Sequence, residues 1–206
     1  MPKLTGYNIL NLSDVIGSKA EKRVDDMLSS YSCPLNPDVE YFLKSKAKEF
    51  ARQRIASTYL ILASYKDEPV IVGYFSLAQK MLSIPKKEIG SESFRRRVNK
   101  FGEYNHNIKS YILPLQLIAQ LGKNFTNDYN KLISGDELLQ IACDQVAEIQ
   151  LLSSGKFTYV ECEDKESLIE FYTSNGFRRI ANRELSKSEE GIATSSYLVQ
   201  LIKYIK

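Results

Sequence analysis

From residue 114 to 139 the chain reads Pro-Leu-Gln-Leu-Ile-Ala-Gln-Leu-Gly-Lys-Asn, a polar stretch, then Ser-Gly-Asp-Glu-Leu-Leu. The apolar run up to Gly122 predicts a buried strand, and Gly135–Asp136 open a helix. The first N–H groups of a helix have no intrahelical partner, and the macrodipole favours an anion there. A strand that feeds a helix start through a flexible loop is therefore a seat for a phosphate-bearing cofactor. A second informative run is Phe171-Tyr172-Thr173-Ser174-Asn175-Gly176-Phe177. Gly176 suits the left-handed conformation that ends a helix, and Phe177 begins the next strand. Glu161 and Glu163 alternate with Cys162, so on a strand they share a face.

Those segments need a scaffold, and the apolar pattern supplies one. Strands are expected at 7–12, 58–64, 70–78, 111–121, 157–162, 177–181 and 195–205. Helices are expected at 18–30 with Ser18 as cap, 38–56 capped by Asp38, 91–101, 135–153 and 167–174. Lys66-Asp67-Glu68-Pro69 is a short connection, so strands 58–64 and 70–78 form an antiparallel hairpin. Residues 83–110 are polar and include Arg95-Arg96-Arg97. They read as a polar insert between the third and fourth strands, not as a second core. The order β-α-α-β-β-insert-β-α-β-α-β-β predicts an α/β mixed sheet with one central parallel crossover. At 206 residues this is expected as a single domain spanning 1–206, with the insert at about 83–110.

Bulk properties exclude several classes. Hydrophobic residues make up 43% and charged residues 26%, ordinary for a globular chain, and the net charge is +3. This weakly basic balance tolerates an anionic cofactor or RNA but argues for neither. The three cysteines, Cys33, Cys143 and Cys162, show neither disulfide-framework nor metal-ligand spacing, so no metal is expected. No apolar run is long enough for a membrane span, and Met1-Pro-Lys-Leu-Thr5 lacks the pattern of a signal peptide. A cytoplasmic protein is expected.

The two chemical segments, taken with the order of elements, resemble the GCN5-related N-acetyltransferase (GNAT) superfamily over about residues 7–206. The strand 115–122, the loop and the helix at Leu138-Leu139 resemble its cofactor motif, with Asn130 at the first loop position, Ile133 where a middle glycine is usual, and Gly135 at the last glycine. Leu168-Ile169-Glu170-Phe171-Tyr172 with Asn175-Gly176-Phe177 resembles its Leu-Tyr-x-x-x-Gly-Phe ending. The resemblance implies a GNAT-like acyl-CoA N-acyltransferase fold with acetyl-CoA (coenzyme A) as co-substrate. It implies that Gln120, Leu121, Gly122 and Lys123 meet the pantetheine arm, partly through backbone groups. Asn130, Ser134, Gly135 and Asp136 would meet the pyrophosphate. Asp164, which stands where the family often has asparagine, and Tyr172 would complete the cofactor contacts.

The implied reaction is direct attack of a primary amine on the acetyl thioester in a ternary complex. The amine must first lose a proton, since an alkylammonium has a pKa of about 10.4. A strand N–H such as that of Leu121 or Gly122 can stabilise the oxyanion. Tyr172, a neutral phenol at pH 7, is the candidate general acid for the departing thiolate. Glu161 or Glu163 can act as base through water, and Glu163 is the residue chosen here. His106 is the only histidine, and nothing in the sequence places it near the chemistry. Cys162 lacks a histidine placed to activate it. The acceptor is expected to be a small-molecule, peptide or protein amine. The stretch Gly73–Leu77, taken with 114–122, is also similar to toxin-type members acting on aminoacyl-tRNA, which carry a basic residue where Gln120 stands. A non-catalytic CoA-binding regulatory module is the third reading, and the assembly allowed for is a homodimer.

Overall fold

The computed structural model describes residues 6–186 and 196–205; the expectations placed on 1–5 and on Ser195 lie outside them. Its strands form an eight-stranded mixed sheet in the order β1-β2-β3-β5-β6-β8-β7, with β4 paired to β5 off this path. The chain divides into two compact units, Met1–Ala78 with Ile118–Asp144, and Gln79–Leu117 with Gln145–Lys206. Among the described residues, no helix is long and apolar enough to cross a membrane.

The first unit begins with β1 (Asn8–Asn11), α1 (Leu12–Val15), α2 (Glu21–Ser29), α3 (Pro37–Ser45), α4 (Ala47–Arg52) and β2 (Ser57–Tyr65). It also holds β3 (Glu68–Pro85) up to Ala78 and the end of β5 (Ser110–Lys123). The hairpin is antiparallel as expected, but its turn is tighter. Tyr65 pairs with Glu68, and the two turn residues Lys66 and Asp67 both take positive φ, 52° and 64°. Such a turn matches the right-handed twist of the flanking strands. The expected helix over 38–56 is two helices, interrupted at Lys46 (φ −121°, ψ −31°). Its cap is Asn36, not Asp38: the Asn36 side chain accepts from the N–H groups of Asp38 and Val39, and Pro37 holds the first turn. Helix α2 starts at Glu21 rather than Ser18, because Ser18 Oγ accepts the Ala20 N–H and the Glu21 carboxylate accepts that of Gly17.

Two glycines set the packing here. A Cβ on Gly73 would lie 3.0 Å from the Gly122 carbonyl oxygen and 3.1 Å from a Leu138 methyl. A Cβ on Gly122 would lie 2.4 Å from Val39 Cγ1 and 2.7 Å from the Tyr31 hydroxyl oxygen. Tyr31 and Tyr74 are fully buried and meet edge-on at 5.5 Å, with Leu43 and Leu60 in the same core. The missing side chains are thus what let these groups approach the strands so closely.

The second unit holds the end of β3, α5 (Glu92–Phe101), β4 (Glu103–Asn105), the start of β5 and the end of α6 (Gly135–Ser153). It continues through β6 (Phe157–Cys162), α7 (Glu166–Ser174), β7 (Arg178–Glu184) and β8 (Tyr197–Tyr204). The parallel crossover β5-α6-β6 is present, and β6 pairs antiparallel with β8 along its whole length. The segment 83–110 departs from the expected polar excursion. Ile84, Ile89 and Val98 are buried in this unit's core with Leu113, Leu115 and Phe157. Phe94, Val98 and Phe101 recur at helical spacing, and Phe94 and Phe101 meet Phe157 edge-on at 6.1 and 6.0 Å. The many charges lie on the other face of α5 and masked this narrow stripe.

Val98→Ala should therefore destabilise the protein by roughly 1–3 kcal/mol in chemical denaturation, while Arg96→Ala stays within about 0.5 kcal/mol. Equal, small effects of the two would return 83–110 to a surface role. Gly122→Ala should cost about 1–3 kcal/mol through overpacking. Adding Val39→Ala should recover part of that loss; strict additivity of the two substitutions would show that they do not meet.

Candidate functional site

The first unit gathers Gln120, Leu121, Gly122, Lys123, Asn130, Ser134, Gly135 and Asp136 on one strand-loop-helix. Within the second unit β5 pairs in parallel with β6 at Gln116↔Thr158 and Leu117↔Tyr159, and its end, Ile118–Lys123, belongs to the first unit. At its end the Gln120 amide donates to Asp38 Oδ2 at 3.3 Å, and the Tyr31 hydroxyl donates to the Lys123 carbonyl at 3.1 Å.

The loop after β5 is tied down along its length. Asn124, 1% exposed, donates through Nδ2 to the Ile71 carbonyl at 2.8 Å. Its Oδ1 accepts the N–H groups of Ser32 and Thr126, both at 3.1 Å. The Lys123 ammonium donates to the carbonyls of Asn130 (2.9 Å) and Ile133 (3.1 Å). The Tyr7 hydroxyl donates to that of Leu132 at 2.8 Å. Between these anchors runs the 3-10 segment Thr126–Leu132, in which Asn127 and Asp128 hold positive φ of 50° and 62°.

Helix α6 opens with a reciprocal cap. Ser134 Oγ accepts the Glu137 N–H at 3.1 Å, and the Glu137 carboxylate accepts the Ser134 N–H at 2.8 Å. These bonds, the backbone one first, hold the Glu137 carboxyl below the usual carboxylate range, with Lys123 adding its charge. The helix start thus brings acceptors of its own and the acidic side chains of Asp136 and Glu137. The Ser-x-x-Glu spacing carries this cap in plain view, whereas the roles of Asn124, Tyr7 and the Lys123 ammonium have no local signature.

The second unit carries Glu161, Glu163, Asp164 and Tyr172. Tyr172 is half-buried on α7, its ring edge-on to Phe171 at 5.0 Å and to Phe177 at 5.6 Å. Gly176 (φ 81°) closes the helix, and the Phe177 N–H returns to the Tyr172 carbonyl at 3.0 Å. Glu161 is committed: Arg183 Nε donates to one carboxylate oxygen at 2.9 Å and Gln200 to the other at 2.8 Å. Glu163 pairs with Lys165. Asp164 accepts from the Tyr197 hydroxyl at 2.5 Å and lies 3.5 Å from the Arg179 guanidinium. That bond to Asp164 raises the Tyr197 hydroxyl above its ordinary range.

Burial, reinforced by the Asp164 charge, pushes the Cys162 thiol up to about 11, so near neutrality it is a thiol and not a nucleophile. His106 sits on the exposed turn after β4, edge-on to Tyr104 at 4.8 Å. Of the three arginines, Arg95 and Arg96 pair with Glu92 at 2.6 and 3.3 Å, and Arg97 lies over the Tyr204 ring at 4.6 Å.

No family model matches this chain, and neither does any curated protein sequence. Solved structures do match. A tyrosine-to-phenylalanine mutant of the AtaT toxin aligns over 97% of this chain and 89% of its own, with 16% identity and a TM-score of 0.63. AtaT complexed with acetyl-methionyl-tRNAfMet aligns over 94% and 93%, with 16% identity and a TM-score of 0.59. AtaTR bound with acetyl-CoA aligns over 95% and 93%, with 16% identity and a TM-score of 0.52. Near-complete coverage on both sides, with the mixed sheet and its parallel β5-α6-β6 crossover, identifies the architecture: the chain has the GCN5-related N-acetyltransferase fold.

Proposed function

We propose that this chain is an N-acetyltransferase that transfers the acetyl group of acetyl-CoA to a primary amine. The observation that carries the reading is the strand-loop-helix of the first unit, in which the end of β5 leads through an anchored loop to the start of α6. Backbone N–H and C=O groups seek partners, and a pantetheine arm can take the place of a strand there. Leu121, Gly122 and Lys123 offer their backbone to it. The loop from Asn130 through Ser134, Gly135 and Asp136 receives the diphosphate at the start of a helix whose dipole favours negative charge.

In the reaction the amine nitrogen bonds to the thioester carbonyl carbon, and its proton passes to Glu163 through water. A strand N–H of Leu121 or Gly122 stabilises the oxyanion. The carbon–sulfur bond then breaks, and Tyr172 gives its proton to the thiolate. Glu163, itself paired with Lys165, is taken as the base, while Arg183 and Gln200 hold both oxygens of Glu161. Asp164, already bonded to Tyr197, shapes this carboxylate-rich strand end and offers the cofactor a contact.

A second reading, an aminoacyl-tRNA acceptor, is favoured by one neighbour, the AtaT complex with acetyl-methionyl-tRNAfMet. The acceptor's amine is then the aminoacyl amine, and the reaction steps are unchanged. Cytoplasmic location and a homodimer remain part of the proposal.

Release of CoA thiol from acetyl-CoA over an amine panel tests the enzyme reading. Tyr172→Phe should lower kcat by roughly 10²–10⁴-fold while leaving acetyl-CoA affinity within about threefold. Absence of acetyl-CoA binding in calorimetry at millimolar cofactor would reject the assignment. For the aminoacyl-tRNA reading, expression of the wild-type chain should arrest growth and Tyr172→Phe should relieve it. Unimpaired growth with an active enzyme would discard that acceptor.

A further inference from the structure

One carboxylate of the first unit meets the end of β5 without a cation of its own. Asp38 stands in the first turn of α3, and that turn is fixed from several sides. The Asn36 side chain accepts the N–H groups of Asp38 and Val39 at 3.1 and 3.3 Å. The Tyr74 hydroxyl donates to the Val39 carbonyl at 2.6 Å, and Val39 itself packs on Gly122. The start of α3 is thereby seated on β5. From that seat the Asp38 carboxylate reaches Gln120, whose amide donates to Oδ2 at 3.3 Å. Gln120 and Gly122 lie on one face of the strand, because strand side chains alternate.

Other carboxylates of the N-terminal helices have cationic partners. Glu40, two residues along the same helix, pairs with the Lys44 ammonium at 2.7 Å and accepts the Cys33 N–H at 2.8 Å. Lys48 holds both Glu21 and Asp25. Asp38, half-buried, has only the neutral Gln120 amide, and among the described residues no lysine or arginine pairs with it. An acid in the first turn suits the helix dipole, but the dipole does not require a place against a strand. A partly buried carboxylate beside one neutral donor has a desolvation cost that a cation would offset.

We propose that Asp38 receives the nitrogen of the acceptor: a primary amine arriving as its ammonium docks on this carboxylate beside the end of β5. This rests on the acetyl-CoA reading above, which sets the thioester on the backbone of Leu121 and Gly122. A docked ammonium has N–H donors to spare. One proton leaves by the water route already described, another N–H stays on Asp38, and the freed lone pair attacks the thioester carbon. An alkylammonium, with a pKa of about 10.4, is charged near neutrality, so the carboxylate selects basic amines over arylamines and amides.

The experiment follows transfer from acetyl-CoA to phenethylamine and to methionyl-tRNA by wild type, Asp38→Asn and Asp38→Glu. Asp38→Asn keeps an oxygen for the Gln120 amide and removes the charge. It should raise KM about tenfold for whichever amine the wild type uses, while KM for acetyl-CoA stays within about twofold. Calorimetry with CoA bound should show the same loss of affinity for that amine. Asp38→Glu should recover part of both effects. An unchanged acceptor KM, or an equal rise in both KM values, would overturn the proposal and leave the enzyme reading standing. A wild type that acetylates neither of these nor any member of the amine panel would remove the reading and the proposal together. Should Asp38→Asn not fold, Asp38→Ser carries the same comparison.

Discussion

The close approach of side chains to the backbone at Gly122 is the constraint on which the first unit rests. With no Cβ at 122, the Tyr31 hydroxyl reaches the next carbonyl and Val39 packs on the strand. Gly73 does the same for Leu138, which brings the start of α6 against β3. The segment 31–39, strand β5, strand β3 and the start of α6 are thereby packed in van der Waals contact. A methyl at 122 forces one of them to move, because backbone and buried aromatic groups have little freedom to yield.

Polar contacts then convert this packing into a defined loop. Asn124, almost wholly buried, meets three backbone groups of 32, 71 and 126. Lys123 and Tyr7 hold the other end. A loop of this length would otherwise sample many shapes, and each bond reduces the entropy lost when a ligand binds. In the second unit the counterpart is an aromatic group around Phe157, joined by Phe94, Phe101 and Tyr204. It roots α5 beneath a surface of charged residues. The carboxylates at the end of β6 are likewise sorted by their partners. Arg183 and Gln200 take both oxygens of Glu161, while Tyr197 and Arg179 hold Asp164.

Much of this was legible from local chemistry. Helix α6 spans Gly135–Ser153 and β6 spans Phe157–Cys162, the bounds that apolar periodicity gives. Gly176 closes α7 in the left-handed conformation its place demanded. These features depend on residues within one turn or one strand of each other. The misplaced features depend on competition. Asn36 takes the cap expected of Asp38 because Pro37 occupies the first helical position and fixes where the helix begins. The polar look of 83–110 hid a stripe of Phe94, Val98 and Phe101, since the surrounding arginines and lysines dominate any average.

By itself, then, the sequence determined most of the elements, their order and the chemistry-bearing residue types, because side-chain periodicity and capping are short-range effects; the short α1 and β4 and the break at Lys46 escaped it. It did not determine which polar groups would meet. Lys123 lies ten residues from Ile133 and Tyr7 lies 125 from Leu132, yet their bonds shape the loop. Which partners the Glu161 carboxylate takes is decided only when Gln200 arrives from the adjacent β8 and Arg183 from β7 beyond it. Those partners are chosen by register and packing across the folded chain, which no local pattern encodes.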